Sequence, residues 1–123
     1  PDKPSELIKA SMIRAKFSEL VACQIKSPVD VSIAFLTGLM SMIDAILDES
    51  LGSILTKLPL SQEIKDTLLS NEGVLAEIIK LVDLINRADW ERSTEIIDKL
   101  ALEKDKVIES YNEALAWADE QSK

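Results

Sequence analysis

Phe35-Leu36-Thr37-Gly38-Leu39-Met40-Ser41-Met42-Ile43-Asp44 is the stretch on which the fold turns. Within the longer run from Val31 to Leu47, the apolar residues Val31, Ala34, Phe35, Leu39, Met42, Ile43 and Ile46 recur at helical spacing and make a wide face. Thr37, Ser41, Asp44 and Asp48 line a narrow polar strip. Such a helix is expected to be mostly buried, with Gly38 allowing close approach of a neighbour. Just upstream, Ser27-Pro28-Val29-Asp30 is a start signal. Ser27 suits a cap, Pro28 has the φ of a first helical position, and Asp30 suits the positive helix end, so the helix is expected to begin there.

The flanking sequence reads the same way. From Pro4 to about Ile25, the residues Ala10, Ile13, Phe17, Leu20 and Val21 recur every three or four positions with no interior Gly or Pro. Ser50 is placed to cap a short helix with Leu51, Ile54, Leu55 and Leu58, which Pro59 ends. Ser61 is placed to cap another with Ile64, Leu68 and Leu69. After Asn71-Glu72-Gly73, a stripe of Val74, Leu75, Ile78, Ile79, Val82 and Ile85 opposes Glu77, Lys80 and Asp83. Asp89 precedes a helix through Ile96, Ile97 and Leu100, and a last helix from about Glu103 carries Val107, Ile108, Tyr111, Leu115 and Ala118. The spacing predicts an all-α bundle of about six or seven helices, no strand, and short loops joining largely antiparallel neighbours.

Composition agrees. The 123 residues are 46% hydrophobic, 29% charged and only 4% aromatic, with three Gly and four Pro. That supports a single folded domain over residues 1–123 and argues against disorder and sheet alike. The net charge of −8 opposes a phosphate backbone or an anionic membrane surface, and the 14 Lys and Arg are scattered among acids. Neither nucleic acid nor membrane is expected as a partner. The apolar run is interrupted by Asp44, no signal pattern is present, and the lone Cys23 cannot form an internal disulfide, so a cytoplasmic location is expected. The absence of an initiator Met suggests a processed or excised chain.

Little in the residues speaks for catalysis. No histidine exists, no Cys or His pair has metal-ligand spacing, and the three glycines stand singly rather than in a phosphate-cradling loop. Cys23 in an apolar helix reads as core. Asp44, Asp48 and Glu49 have the chemistry for an oxygen-loving cation, although a solvated face explains them as well. Without histidine, Ser41 or Cys23 has only Lys or carboxylate bases to activate it, and no such pair is visible. Trp90 and Trp117 read as core residues at helix contacts, with a partner anchor as the alternative. Arg14, a charge within an apolar stretch, is expected to pair with an acid such as Asp44 or to snorkel to solvent. No catalytic, cofactor-binding or metal-ligating residue is assigned.

Several segments together resemble the C-terminal part of the HDOD domain, the HD-related output domain or modified HD-GYP domain, as found after an EAL domain in bacterial signalling proteins of the YuxH type. The carriers are Lys3-Pro4-Ser5-Glu6-Leu7, Ile13-Arg14-Ala15-Lys16-Phe17-Ser18-Glu19-Leu20, the Phe35-to-Leu47 helix, Leu58-Pro59-Leu60-Ser61, Glu72-Gly73, Asp89-Trp90 and Glu113-Ala114-Leu115-Ala116-Trp117-Ala118. The resemblance implies an HD-domain-like helical bundle. It sets Ser41-Met42 where HD-type phosphohydrolases carry their metal-binding His-Asp pair, and a further histidine position near Ala10. A hydroxyl and a thioether do not hold the hard cations that activate water for phosphoester hydrolysis. It therefore implies a non-catalytic output module, related to cyclic di-GMP signalling, that acts through protein contacts. The expected partner is its own EAL domain in cis or another signalling protein. Because HDOD domains extend upstream of Pro1, the resemblance implies a fragment, whose first two helices are expected to expose an apolar patch and pair as a homodimer. A residual metal-dependent phosphodiesterase or other hydrolase, and a purely structural dimerisation unit, are the alternatives.

Overall fold

A computed structural model describes residues 3–26 and 29–122. Among these there are eight helical segments and no strand: α1 (Lys3–Ala22), α2 (Val31–Met40), α3 (Ile43–Leu47), α4 (Leu51–Lys57), α5 (Gln62–Ser70), α6 (Val74–Asn86), α7 (Trp90–Lys99) and α8 (Lys104–Gln121). The helical-bundle expectation holds. Segments α2 and α3 are the two halves of the helix expected from Val31 to Leu47; taken as one bent helix, they bring the total to seven.

Local signals set most boundaries. The side chains of Ser50, Ser61 and Asp89 accept from the backbone N–H groups of Ser53, Ile64 and Arg92, satisfying donors that have no partner in a first helical turn. Leu58, before Pro59, is extended and ends α4. The start of α2 differs from expectation. Asp30 is its cap, accepting from Ile33 N at 3.1 Å, and the helix begins at Val31; Ser27 and Pro28 lie outside the described residues.

Helix α1 packs chiefly against α2 and α8 and also meets α6, which in turn packs against α7. The core gathers Phe17 and Val21 of α1, Ile78, Leu81, Val82 and Ile85 of α6, Ile97 of α7, and Val107 and Ala114 of α8. Gln24 donates to Ser110 Oγ at 2.7 Å and ties the end of α1 to α8.

The mostly buried α2 foreseen from its apolar face is not what forms. Its buried residues are Ala34, Thr37 and Gly38, while Leu36 is 38% exposed and Phe35, Leu39 and Met40 are half-buried. Small side chains let the α2 backbone settle on α1 at Gly38, and large ones cannot occupy that seam. Thr37, assigned to the polar strip, is fully buried because its hydroxyl donates to Ile33 O at 2.7 Å. Ile8 and Leu47 are also about half exposed. No single described helix is long and apolar enough to cross a membrane.

Candidate functional site

The polar centre of the molecule is built where α1, the α2–α3 junction and α6 meet. Arg14 of α1 donates through Nη2 to Asp83 Oδ1 of α6 at 2.6 Å and through Nη1 to Ser41 Oγ at 3.1 Å. The Arg14 side chain is 19% exposed and that of Asp83 is 42% exposed. Ser41 in turn donates to Gly38 O at 2.7 Å, and its own N–H bonds the same carbonyl in a tightened last turn. Met42 follows with a non-helical backbone (φ −119°, ψ 13°). The helix thus breaks where a serine bonds back to the preceding turn and takes up the guanidinium.

Two hollows flank this ion pair. One, of about 200 Å³, is lined by Ala10, Ile13, Met42, Val82, Asn86 and Tyr111 together with Arg14 and Asp83. The other, of about 210 Å³, is lined by Ser41, Asp44, Thr67, Asn71 and Lys80 along with the same two charges and several apolar side chains. Tyr111 donates to Asn86 Oδ1 at 3.0 Å, stands edge-on to Phe17, and has its phenol pKa raised by burial.

The three positions that the resemblance links to lost ligands, Ala10, Ser41 and Met42, are therefore brought to one place. The acid expected there is corrected: Arg14 pairs with Asp83, not Asp44. Asp44 accepts from the N–H of Ala45 at 2.9 Å, and Glu49 pairs with Lys57 at 3.4 Å. Among the described residues, no three His, Cys, Asp or Glu side chains gather in a way that would hold a metal ion. Cys23 is exposed rather than core, because α1 ends at Ala22 and the residue falls in the following turn. Trp90 is 42% exposed at the start of α7, with Lys104 Nζ 5.8 Å from its ring centroid, so its reading as core fails. Trp117 is half-buried, packed edge-on against Phe35 with Lys16 over its ring.

Asp83 was not singled out from the sequence, where it sits with Glu77 and Lys80 on the polar side of α6. The available signal was a base and an acid, each set within an otherwise apolar run of its own helix. A guanidinium has only hydrogen-bond donors, so Arg14 does not ligate a metal, and it occupies the Asp83 carboxylate beside it.

No protein-family model matches the chain, and neither does any solved structure. The chain is 36% identical over 112 residues to the uncharacterized protein YuxH of Bacillus subtilis, covering 91% of this chain and 27% of that protein. It is 31% identical over 118 residues to the cyclic di-GMP phosphodiesterase CdgJ of Vibrio cholerae, covering 96% of this chain and 27% of that protein. The chain spans about a quarter of each relative. Both are bacterial, and a match of that length takes in the positions of Arg14, Ser41 and Asp83.

Proposed function

We propose that this chain is the C-terminal part of an HDOD domain and serves as a non-catalytic regulatory module in bacterial signal transduction, in a cyclic di-GMP context. It acts by protein contacts, either with an EAL domain of its own longer protein or with another signalling protein. The observation that carries this reading is the Arg14 guanidinium bound between Ser41 and Asp83, on the ground where the resemblance puts the His-Asp pair. A fixed positive charge there repels a divalent cation and engages a nearby carboxylate that such an ion would need. The similarity to CdgJ supports the signalling context, and the half-exposed Leu36, Leu47 and Ile8 supply apolar surface for contacts, a homodimer included.

A second reading, residual phosphodiesterase activity, is favoured by the activity in the name of the Vibrio relative. Metal analysis of protein purified without chelator, with a cyclic di-GMP hydrolysis assay, separates the two. The expected result is no stoichiometric metal and no turnover. Bound metal, with turnover lost in Asp83→Ala or Asp44→Ala, would overturn the non-catalytic reading.

A further inference from the structure

The break between α2 and α3 has no local cause. Residues 31–47 contain no proline, and Gly38 lies before the break within regular helix. Serine and methionine are both tolerated in helix interiors. Side chains hold the bend instead. Arg14 grips Ser41 Oγ at 3.1 Å while its other arm binds Asp83 of α6 at 2.6 Å. The Ala45 N–H, which an unbroken helix would direct at the carbonyl of Ser41, is taken by the Asp44 carboxylate at 2.9 Å. Asp44 is half-buried and has no ion-pair partner among the described residues. Beyond the bend, none of the five residues of α3 is buried, and Leu47 at its end is 52% exposed. The two acids face one guanidinium, since Arg14, Ser41, Asp44 and Asp83 line a single hollow of about 210 Å³, together with Lys80.

We infer that Arg14 is the pivot of a two-state switch, exchanging Asp83 for Asp44 as residues 31–47 pass from the bent form to one continuous helix. In the continuous helix Asp44 falls one turn below Ser41 on the same polar strip, within reach of a guanidinium already on Ser41. Each group given up finds a replacement. The Ala45 N–H passes from Asp44 to the Ser41 carbonyl, which frees the Asp44 carboxylate for Arg14. Asp83 passes to Lys80, one turn earlier on α6, whose present partner Glu77 is 3.8 Å away and keeps Lys99 at 3.2 Å. Neither form leaves one of these charges unpaired in the hollow, which is the condition for two packings of similar free energy. The passage carries α3 and the exposed Leu47 to a new position against α1. The switch supplies the two states of the regulatory reading and rests on that reading for its role as a signal. The two fail separately: metal-dependent turnover would end that reading with the helix exchange still measurable, and a rigid bend would end the switch with protein contacts untouched.

The test is NMR of the ¹³C,¹⁵N-labelled chain. Asp83→Asn removes the charged acceptor that holds the bent form, and it should raise the straight population about tenfold or more. The readout is movement of the Ser41 and Met42 Cα shifts to helical values and slower exchange of the Ala45 amide. Adding Asp44→Asn to that variant should cancel the movement, because the straight form then has no acid for Arg14. Adding Ala45→Pro instead should cancel it too: proline fits the first turn of α3, but inside an unbroken helix its ring meets the Ser41 carbonyl. A cooperatively melting Asp83→Asn chain with unaltered shifts at residues 41–46 would overturn the inference. So would equal movement with and without Asp44→Asn, which would mean local loosening rather than exchange of partners. If Asp83→Asn does not fold, the unaltered chain decides. Millisecond exchange broadening at residues 41–46 is expected there and should vanish in Asp44→Asn; its absence from the unaltered chain, or its persistence in Asp44→Asn, sinks the switch.

Discussion

A single methyl group added at Gly38 would lie 2.6 Å from the carbonyl oxygen of Arg14 and 2.9 Å from the Cα of Ala15. Both are backbone atoms of a helix whose own residues are buried, so neither can swing aside. Alanine is ordinarily the better helix former by about 1 kcal/mol, yet here overpacking wins. Gly38→Ala is expected to destabilise the chain by about 2 kcal/mol or more, read as a lowered urea midpoint. Gly52, early in α4, has open space around its would-be Cβ. Gly52→Ala should therefore raise stability, by up to about 1 kcal/mol, in the same assay. The opposite signs at two helical glycines test whether the α1–α2 crossing is as close as described. At the same crossing Arg14 and Ser41 meet, so the seam that excludes bulk also positions the polar centre.

Helix ends carry a second kind of strain. Helices α6 and α7 both close by the same device: Asp89 N–H bonds Leu84 O and Leu102 N–H bonds Ile97 O, each at 2.9 Å, spanning a residue in the left-handed region. Those residues are Ala88 (φ 58°) and Ala101 (φ 56°). Alanine in that conformation sets its Cβ against a carbonyl, a cost that glycine avoids. Ala88→Gly and Ala101→Gly are each expected to stabilise by about 0.5–1 kcal/mol, net of the greater freedom glycine gives the unfolded chain, in thermal or urea unfolding. At the other end of an element, Asp30→Ala removes the acceptor of the Ile33 N–H. A loss of about 1 kcal/mol is expected there, again from the urea midpoint.

In the molecule as a whole, α6 contributes the largest share of the buried core, its Ile78, Leu81, Val82 and Ile85 joining the core residues of α1, α7 and α8. Leu81 is fully buried. Leu81→Ala should cost about 2–5 kcal/mol, enough to unfold a domain of ordinary marginal stability, visible as loss of the cooperative melt. The pH dependence has a definite sign at the alkaline end. Burial raises the Tyr111 pKa, so between the unfolded value of about 10 and the higher folded value the native chain keeps a proton that the unfolded chain releases. Stability from this group is fully present below about pH 10 and is lost as pH rises through the folded pKa. Tyr111→Phe, which cannot ionise, should flatten that alkaline decline in unfolding measured across the range.

What the sequence by itself determined was the helical class, most of the caps and the absence of histidine. Apolar spacing in α1, α6 and α8 and the hydroxyls of Ser50 and Ser61 act locally, and the lack of imidazole is a fact of composition. The face that α2 buries, the break at Ser41 and the pairing of Arg14 with Asp83 were settled only by tertiary structure. Residues 14 and 83 are 69 positions apart, and no local periodicity links them. Helical hydrophobicity favoured the wide face of Phe35 and Leu39, but the crossing at Gly38 selected the narrow one. Close backbone approach depends on how small a seam is, and a hydropathy pattern does not measure size.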